Sequence, residues 1–200
     1  VNWADLGAHA EAYLALAAAA LALGALAGVA LGVAASHAHL TRTPILALTF
    51  IGRAVPSLAL LTFMIPVLGF GFAPALAALA ILAAAPVAIT TDVAFRSVNR
   101  ASIDAARGLG MTATQTLLRV EWPAAFPVVF AGIRTAATEV IASAVLAAFI
   151  GAGGLGELIT TGLQANDAQR LWTGVISIAC IAVCAEFALA LLQRRIGETV

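Results

Sequence analysis

The chain has 200 residues, of which 62% are hydrophobic and only 10% charged, against the roughly 25% charged residues of a soluble domain. This points to a polytopic helical membrane protein rather than a small soluble all-α domain with a large core. A formal net charge of zero argues against a nucleic-acid surface, and the ten basic residues are all Arg, which excludes a P-loop and Schiff-base chemistry because both need Lys. If the chain works with ATP, another chain must hydrolyse it.

The N-terminal stretch VNWADLGAHAEAYL has no basic region and no small-residue cleavage site, so it does not resemble a signal peptide. The first membrane span is expected over residues 13–35, rich in Ala, Leu and Gly, followed by the polar stretch SHAHLTRT. Residues 44–70 form a second apolar region, interrupted by Arg53, Pro56 and Pro66, and should be broken or kinked there. The turn GFGFAP leads to a third span, 74–95, with Pro86 inside it. A polar segment, 96–126, separates it from a fourth span at 127–150. Residues 151–170 should hold a short surface helix, and the last span is expected at 171–192. Cys180 and Cys184 lie i,i+4 in that span with no His nearby, which suits packing and not a metal site. The expected architecture is therefore all-α, a single domain of about five transmembrane helices.

Five spans put the chain ends on opposite sides. One side receives Arg42, Arg96, Arg100, Arg107, Arg119, Arg194 and Arg195; the other receives Arg170 with Asp5, Glu11, Glu157 and Asp167. The positive-inside rule makes the first side cytoplasmic, with the N-terminus outside and the C-terminus inside. Asp92 and Arg96 are spaced for an i,i+4 pair. Glu186, near the cytoplasmic end of the last span, suits a structural contact with the interface or a neighbouring helix.

The polar segment contains IDAARGLGMTATQTLLRVEWP, residues 103–123. Ser102 is suited to cap a short helix, with Asp104 in its first turn. Gly108 and Gly110 should end that helix, Gly110 taking the left-handed position. Thr112 and Gln115 have capping-box spacing for a second helix through Leu117, Leu118 and Val120, which Pro123 should stop. Two short helices with a glycine elbow and small residues (Ala105, Ala106, Gly108) suit docking into a partner's cleft.

Here the chain resembles the permease subunits of binding-protein-dependent ABC importers, which carry a cytoplasmic loop with Glu-Ala-Ala, three residues, Gly, nine residues, then Ile-x-Leu-Pro. Asp104-Ala105-Ala106, Gly110 and Val120-Glu121-Trp122-Pro123 reproduce that spacing, with Asp for Glu, Val for Ile and Trp for Leu. VPSLALLTFMIPVLGFG and AGIRTAATEVIASAVLAAFIGAGGLGELI are similar to stretches of osmoprotectant permeases of the glycine betaine, carnitine and choline type. Methionine-importer permeases share the fold and are the alternative within the class.

The resemblance implies that the loop is a coupling helix seated in a groove of an ATPase subunit. The residues carried over to that role are Asp104, Ala105, Ala106, Arg107, Gly108, Gly110 and Met111, with Gly110 as the elbow. It further implies a second permease copy or paralogue, an extracytoplasmic solute-binding protein, and a multi-pass place in the lipid bilayer of a bacterial or archaeal cytoplasmic membrane. ATP and Mg would bind the partner ATPase; this chain would hold no cofactor or metal, bind no nucleic acid and have no catalytic residue. A stand-alone channel or ion-coupled carrier would account for broken helices and buried charges, but not for the loop spacing.

Ionisable residues inside spans are costly, and two stand out: Arg53 and Glu139. Family members more often have uncharged residues there. Either the two form a structural ion pair, or Arg53 snorkels to the interface, or both line the path between two permease copies, with Ser57, Thr135, Thr138 and Ser143 supplying hydrogen bonds. Residues 151–156, GAGGLG, satisfy a dinucleotide fingerprint but lack the strand and βαβ unit it requires. Gly151, Gly153, Gly154 and Gly156 instead suit a sharp turn, and by resemblance they border the outer gate and the face toward the binding protein.

Overall fold

The computed structural model describes residues 3–37 and 39–198. Those residues are nearly all helical: α1 (Trp3–His37), α2 (His39–Ala54), α3 (Ser57–Leu68), α4 (Phe72–Ser97), α5 (Arg100–Gly108), α6 (Ala113–Thr116), α7 (Trp122–Ala144), α8 (Leu155–Gln164) and α9 (Ala168–Glu198). A π-turn, Leu117–Glu121, joins α6 to α7, and a 3-10 turn, Val145–Ile150, extends α7. Among the described residues, four stretches are long and apolar enough to cross a membrane: Asp5–His37, Phe72–Ser97, Ala113–Ile150 and Ala168–Ile196. The second apolar region is broken as expected at Pro56, into two shorter helices, α2 and α3, parted at Val55 and Pro56. Pro56 has no amide hydrogen to continue the ladder and biases Val55 away from helical geometry. Pro66 and Pro86 leave α3 and α4 unbroken.

The centre of the molecule is α4, flanked by α1 and α7. Gly24, Gly28 and Gly32, spaced i,i+4 on α1, make one flank. A side-chain carbon at these glycines would lie 2.6, 2.7 and 2.6 Å from the carbonyl oxygens of Ala80, Ala84 and Ala88 on α4. Lipid tails are as apolar as Leu, so helices associate in a bilayer by close packing of small residues, and this seam supplies it. On the other flank Gly132 of α7 lies against Thr90 of α4.

The larger core joins α1, α3, α4, α7 and α8 through Tyr13, Leu16, Leu61, Leu79, Val140, Ile150 and Leu155. Tyr13 is 1% exposed, and its hydroxyl donates to the Ile141 carbonyl of α7. Four residues on, at Val145, α7 gives way to the 3-10 turn. In an α-helix the Val145 amide would bond that same carbonyl, so Tyr13 supplies the partner that lets the helix tighten there. Tyr13→Phe should lower stability by about 1 kcal/mol, the usual net worth of one hydrogen bond. Thermal unfolding in detergent checks the cost, and faster hydrogen exchange over Val145–Ile150 should accompany it.

Asp92, buried on α4, does not pair with Arg96. Arg42 of α2 reaches it from 50 residues away, Nη2 donating to Oδ2 at 2.8 Å and Nε to Oδ1 at 3.2 Å. A two-pronged guanidinium contact outcompetes the local i,i+4 geometry, and Arg96 is left on an exposed face. Cys180 and Cys184 are exposed on α9 rather than packed within the chain. The helix expected on the surface within residues 151–170 is α8, and it is tucked in, with Leu155, Gly156, Leu158 and Gly162 buried.

Candidate functional site

The loop between α4 and α7 is built almost wholly by local chemistry. Asn99, not Ser102, caps α5: its Oδ1 accepts from the Ala101 amide at 2.9 Å. Asp104 therefore falls in mid-helix, beyond the first turn. The helix closes with two bonds, Gly110 N to Arg107 O at 2.9 Å and Met111 N to Ala106 O at 3.1 Å. This is the Schellman arrangement, which needs a left-handed residue at Gly110, where φ is +80°. The capping box forms: Gln115 N donates to Thr112 Oγ1 at 3.3 Å and Thr112 N to Gln115 Oε1 at 2.9 Å.

The second helix does not stop at Pro123. It runs on through the π-turn, where the Trp122 amide bonds the Leu117 carbonyl, and Pro123 becomes a first-turn residue of α7. A widened turn just ahead of a proline gives its ring room, and the first turn of a helix does not need its missing amide.

A small second core anchors the loop. Ala94, Phe95 and Val98 of α4 meet Ala125 and Val129 of α7, with Ile103, Leu117 and Trp122 packed against them. Ile103 faces this core and Ala106 is buried. Ala106 therefore turns inward and is not part of the docking face expected for residues 104–107. Asp104, Ala105, Arg107, Gly108, Leu109 and Gly110 are exposed, and Met111 is half-buried. Leu109 is 81% exposed. Sequence reasoning missed this apolar side chain held out at the elbow, because an isolated Leu between two glycines carries no periodic signal.

The second constellation lies on α7. Its Ala136, Ala137, Val140 and Ala144 are buried, while Thr135, Thr138 and Ala142 are exposed and Arg134, Glu139 and Ser143 half-buried. Two clefts run along this polar face and meet at Glu139. One, of about 410 Å³, is lined by Arg134, Thr135, Thr138, Glu139, Glu186 and Gln193. The other, of about 340 Å³, is lined by Val55, Pro56, Ser57, Leu82, Glu139 and Ser143. Ser57, Thr135, Thr138, Glu139 and Ser143, expected along a path, are thus brought to one side of the molecule. The side chain of Arg53 lies outside the described residues, and so does its expected pairing with Glu139.

Sequence reasoning missed the clamp at one end of this face. Arg134 Nε donates to Glu186 Oε1 at 3.0 Å, Nη2 reaches the same oxygen, and Nη1 donates to Gln193 Oε1 at 2.8 Å. The Thr138 hydroxyl lies 3.0 Å from Glu186 Oε2. Glu186 thus makes the contact with a neighbouring helix expected of it, and α7 is bolted to α9. A separate cleft of about 370 Å³, between α1, α2 and α4, is lined almost wholly by apolar groups such as Leu23, Leu31 and Ile81, and suits lipid rather than a polar solute.

At the opposite end from the loop, Gly151, Gly153 and Gly154 all take left-handed φ, between +74° and +78°. Gly154 and Gly156 allow close approach as well: Gly154 abuts the Tyr13 backbone and Gly156 the Val145 carbonyl. No strand precedes them among the described residues, so the dinucleotide fingerprint is a turn.

The described residues form a helical membrane bundle with a two-helix loop at one end and a polar face along one helix, the frame of a transport component. The chain belongs to the family described as the binding-protein-dependent transport system inner membrane component, which it matches over residues 11–198. It is a multi-pass permease subunit of an ABC importer, in which ATP hydrolysis falls to a separate chain. It is 43% identical over 162 residues to the carnitine transport permease protein OpuCB of Listeria monocytogenes, covering 78% of this chain and 74% of that one. It is 36% identical over 177 residues to the choline transport system permease protein OpuBB of Bacillus subtilis, covering 88% and 82%. An inward-facing structure of the MetNI methionine ABC transporter superposes with a TM-score of 0.83 at 24% identity, over 96% of this chain and 95% of that one, a likeness of fold.

Proposed function

We propose that this permease imports a small polar osmoprotectant of the quaternary-amine type, such as glycine betaine, carnitine or choline. The solute would pass along the polar face of α7, between this chain and a second permease copy or paralogue. The observation that carries the path is the meeting of two clefts at Glu139 on a helix face the monomer leaves open. An ionisable group at that depth is costly unless it faces protein or a water-filled cavity. The substrate class is supported by the printed functions of the relatives, two of which are named for carnitine and choline transport.

The exposed face of α5 and Leu109 would seat in a groove of the ATPase, which binds ATP and Mg. Closure of two ATPases would move the coupling helices and turn the path outward. An extracytoplasmic binding protein would then deliver solute at the glycine-rich end around Gly151–Gly156. The loop end carries Arg42, Arg96, Arg100, Arg107, Arg119, Arg194 and Arg195, which supports its place in the cytoplasm and the N-terminus outside.

The test is uptake into proteoliposomes holding permease, ATPase and the cognate binding protein. Glycine betaine, carnitine or choline should enter with ATP inside; entry of methionine alone would overturn the substrate class. Glu139→Gln should cut uptake about tenfold with the complex still assembled, in keeping with the 1–3 kcal/mol usual for a coupled site. Unchanged transport and ATPase coupling would remove Glu139 from the path.

A further inference from the structure

Glu121 is the end of the π-turn, and its side chain is only 8% exposed. Its carboxylate faces His37, the last residue of α1, with Nε2 and Oε2 3.0 Å apart. On the other side of the ring, Nδ1 lies 2.9 Å from Ser36 Oγ and 3.0 Å from the Val33 carbonyl. The Ser36 hydroxyl already donates to that carbonyl, at 2.8 Å. The ring thus bridges Ser36 and the Val33 carbonyl on one side and the Glu121 carboxylate on the other, its tautomer setting which nitrogen donates.

The pair is set in a chain of rings. His37 meets Phe95 edge-on at 6.0 Å, and Phe95 meets Trp122 at 5.9 Å. Phe95 and Trp122 belong to the small core that holds Ile103 of α5. One contact thus links α1 to the strip of chain that runs from the coupling helix into α7. For stability alone the contact adds little, because one partner is half open to solvent. A polar joint has something that an apolar contact lacks: discrete made and broken states. It also sits on a π-turn, a local widening frequent at functional sites.

We propose that His37 and Glu121 are positioning residues that carry movement of the coupling helix to α1, so that α1 shifts with α7 when the ATPases close. The inference rests on the coupling role proposed above for α5.

The experiment uses the complete complex of permease, ATPase and binding protein in proteoliposomes, with His37→Ala, Glu121→Ala and Glu121→Gln. It reads ATP hydrolysed per solute imported, and stimulation of hydrolysis by loaded binding protein. Both alanine variants should assemble with the ATPase yet spend at least about fivefold more ATP per solute, the lower range of allosteric coupling. Glu121→Gln should stay within about twofold of the parent, since its amide can donate to the ring or accept from it and keep the joint. The double alanine variant should be no worse than either single one, as expected of partners in one interaction. His37 is half exposed, so its variant decides the matter if Glu121→Ala fails to accumulate. An unchanged ATP-to-solute ratio in His37→Ala overturns the proposal. Failure of the unsubstituted permease to retain an ATPase at all would instead remove the coupling role of α5, and the joint with it.

Discussion

Isoleucine at Gly28 should leave almost no folded permease in the membrane. The added carbon would sit 2.7 Å from both the Ala84 carbonyl and Val87 Cβ, inside the seam where α1 lies on α4. Neither neighbour can withdraw, because one is backbone and the other is fully buried. Gly24 and Gly32 hold the seam equally close one turn to either side, so α1 cannot tilt away at one point without opening the other two. A water-soluble bundle would retain a hydrophobic force to reassemble the helices; a bilayer provides none, so lost contact is lost association. Gly28→Ala, the smallest possible overfilling, should cost about 1–3 kcal/mol. Monodisperse yield after solubilisation and the melting temperature measure both. Wild-type yield and melting for Gly28→Ile would show that the seam does not hold the fold.

The second large effect should separate two neighbouring alanines. Ala105 is exposed on α5 and Ala106 is buried. Ala105→Trp should leave the melting temperature of the isolated permease unchanged and abolish retention of the ATPase, with transport down at least tenfold. Ala106→Trp should do the reverse first, lowering the melting temperature, because overfilling a buried site costs about 1–3 kcal/mol. Equal loss of stability in both variants would mean that α5 has no free docking face. Full retention of the ATPase by Ala105→Trp would place the interface elsewhere.

Much of this was legible in the chain itself, and what was not has a common cause. The glycine elbow, the Schellman closure and the Thr112–Gln115 box are written in residues within six positions of one another, so local chemistry sufficed. The cap of α5 was misplaced because Ser102 and Asn99 are both good caps and only backbone conformation, extended at Asn99, chooses between them. Pro123 was read as a stop because a π-turn has no residue signature. Glu139 stood out as a charge in an apolar run. Its neighbours in the cleft, Arg134, Glu186 and Gln193, come from two helices more than fifty residues apart, and no local pattern brings them together. The same holds for Arg42 with Asp92 and His37 with Glu121. In each case the partner was visible and the pairing was not.

The first helix has a consequence of its own. At 1.5 Å per residue its 35 residues run for about 50 Å, well past the ~30 Å of hydrocarbon. One end meets the coupling strip at Glu121; the other carries Tyr13, seated on the turn that follows α7, and His9, 3.7 Å from Glu157 of α8. Glycines press its middle onto α4. Such a helix is a strut that touches both ends of the bundle at once. Under the coupling proposed above, a displacement of its loop end would pass along a rigid element to the glycine-rich end, in the same stroke.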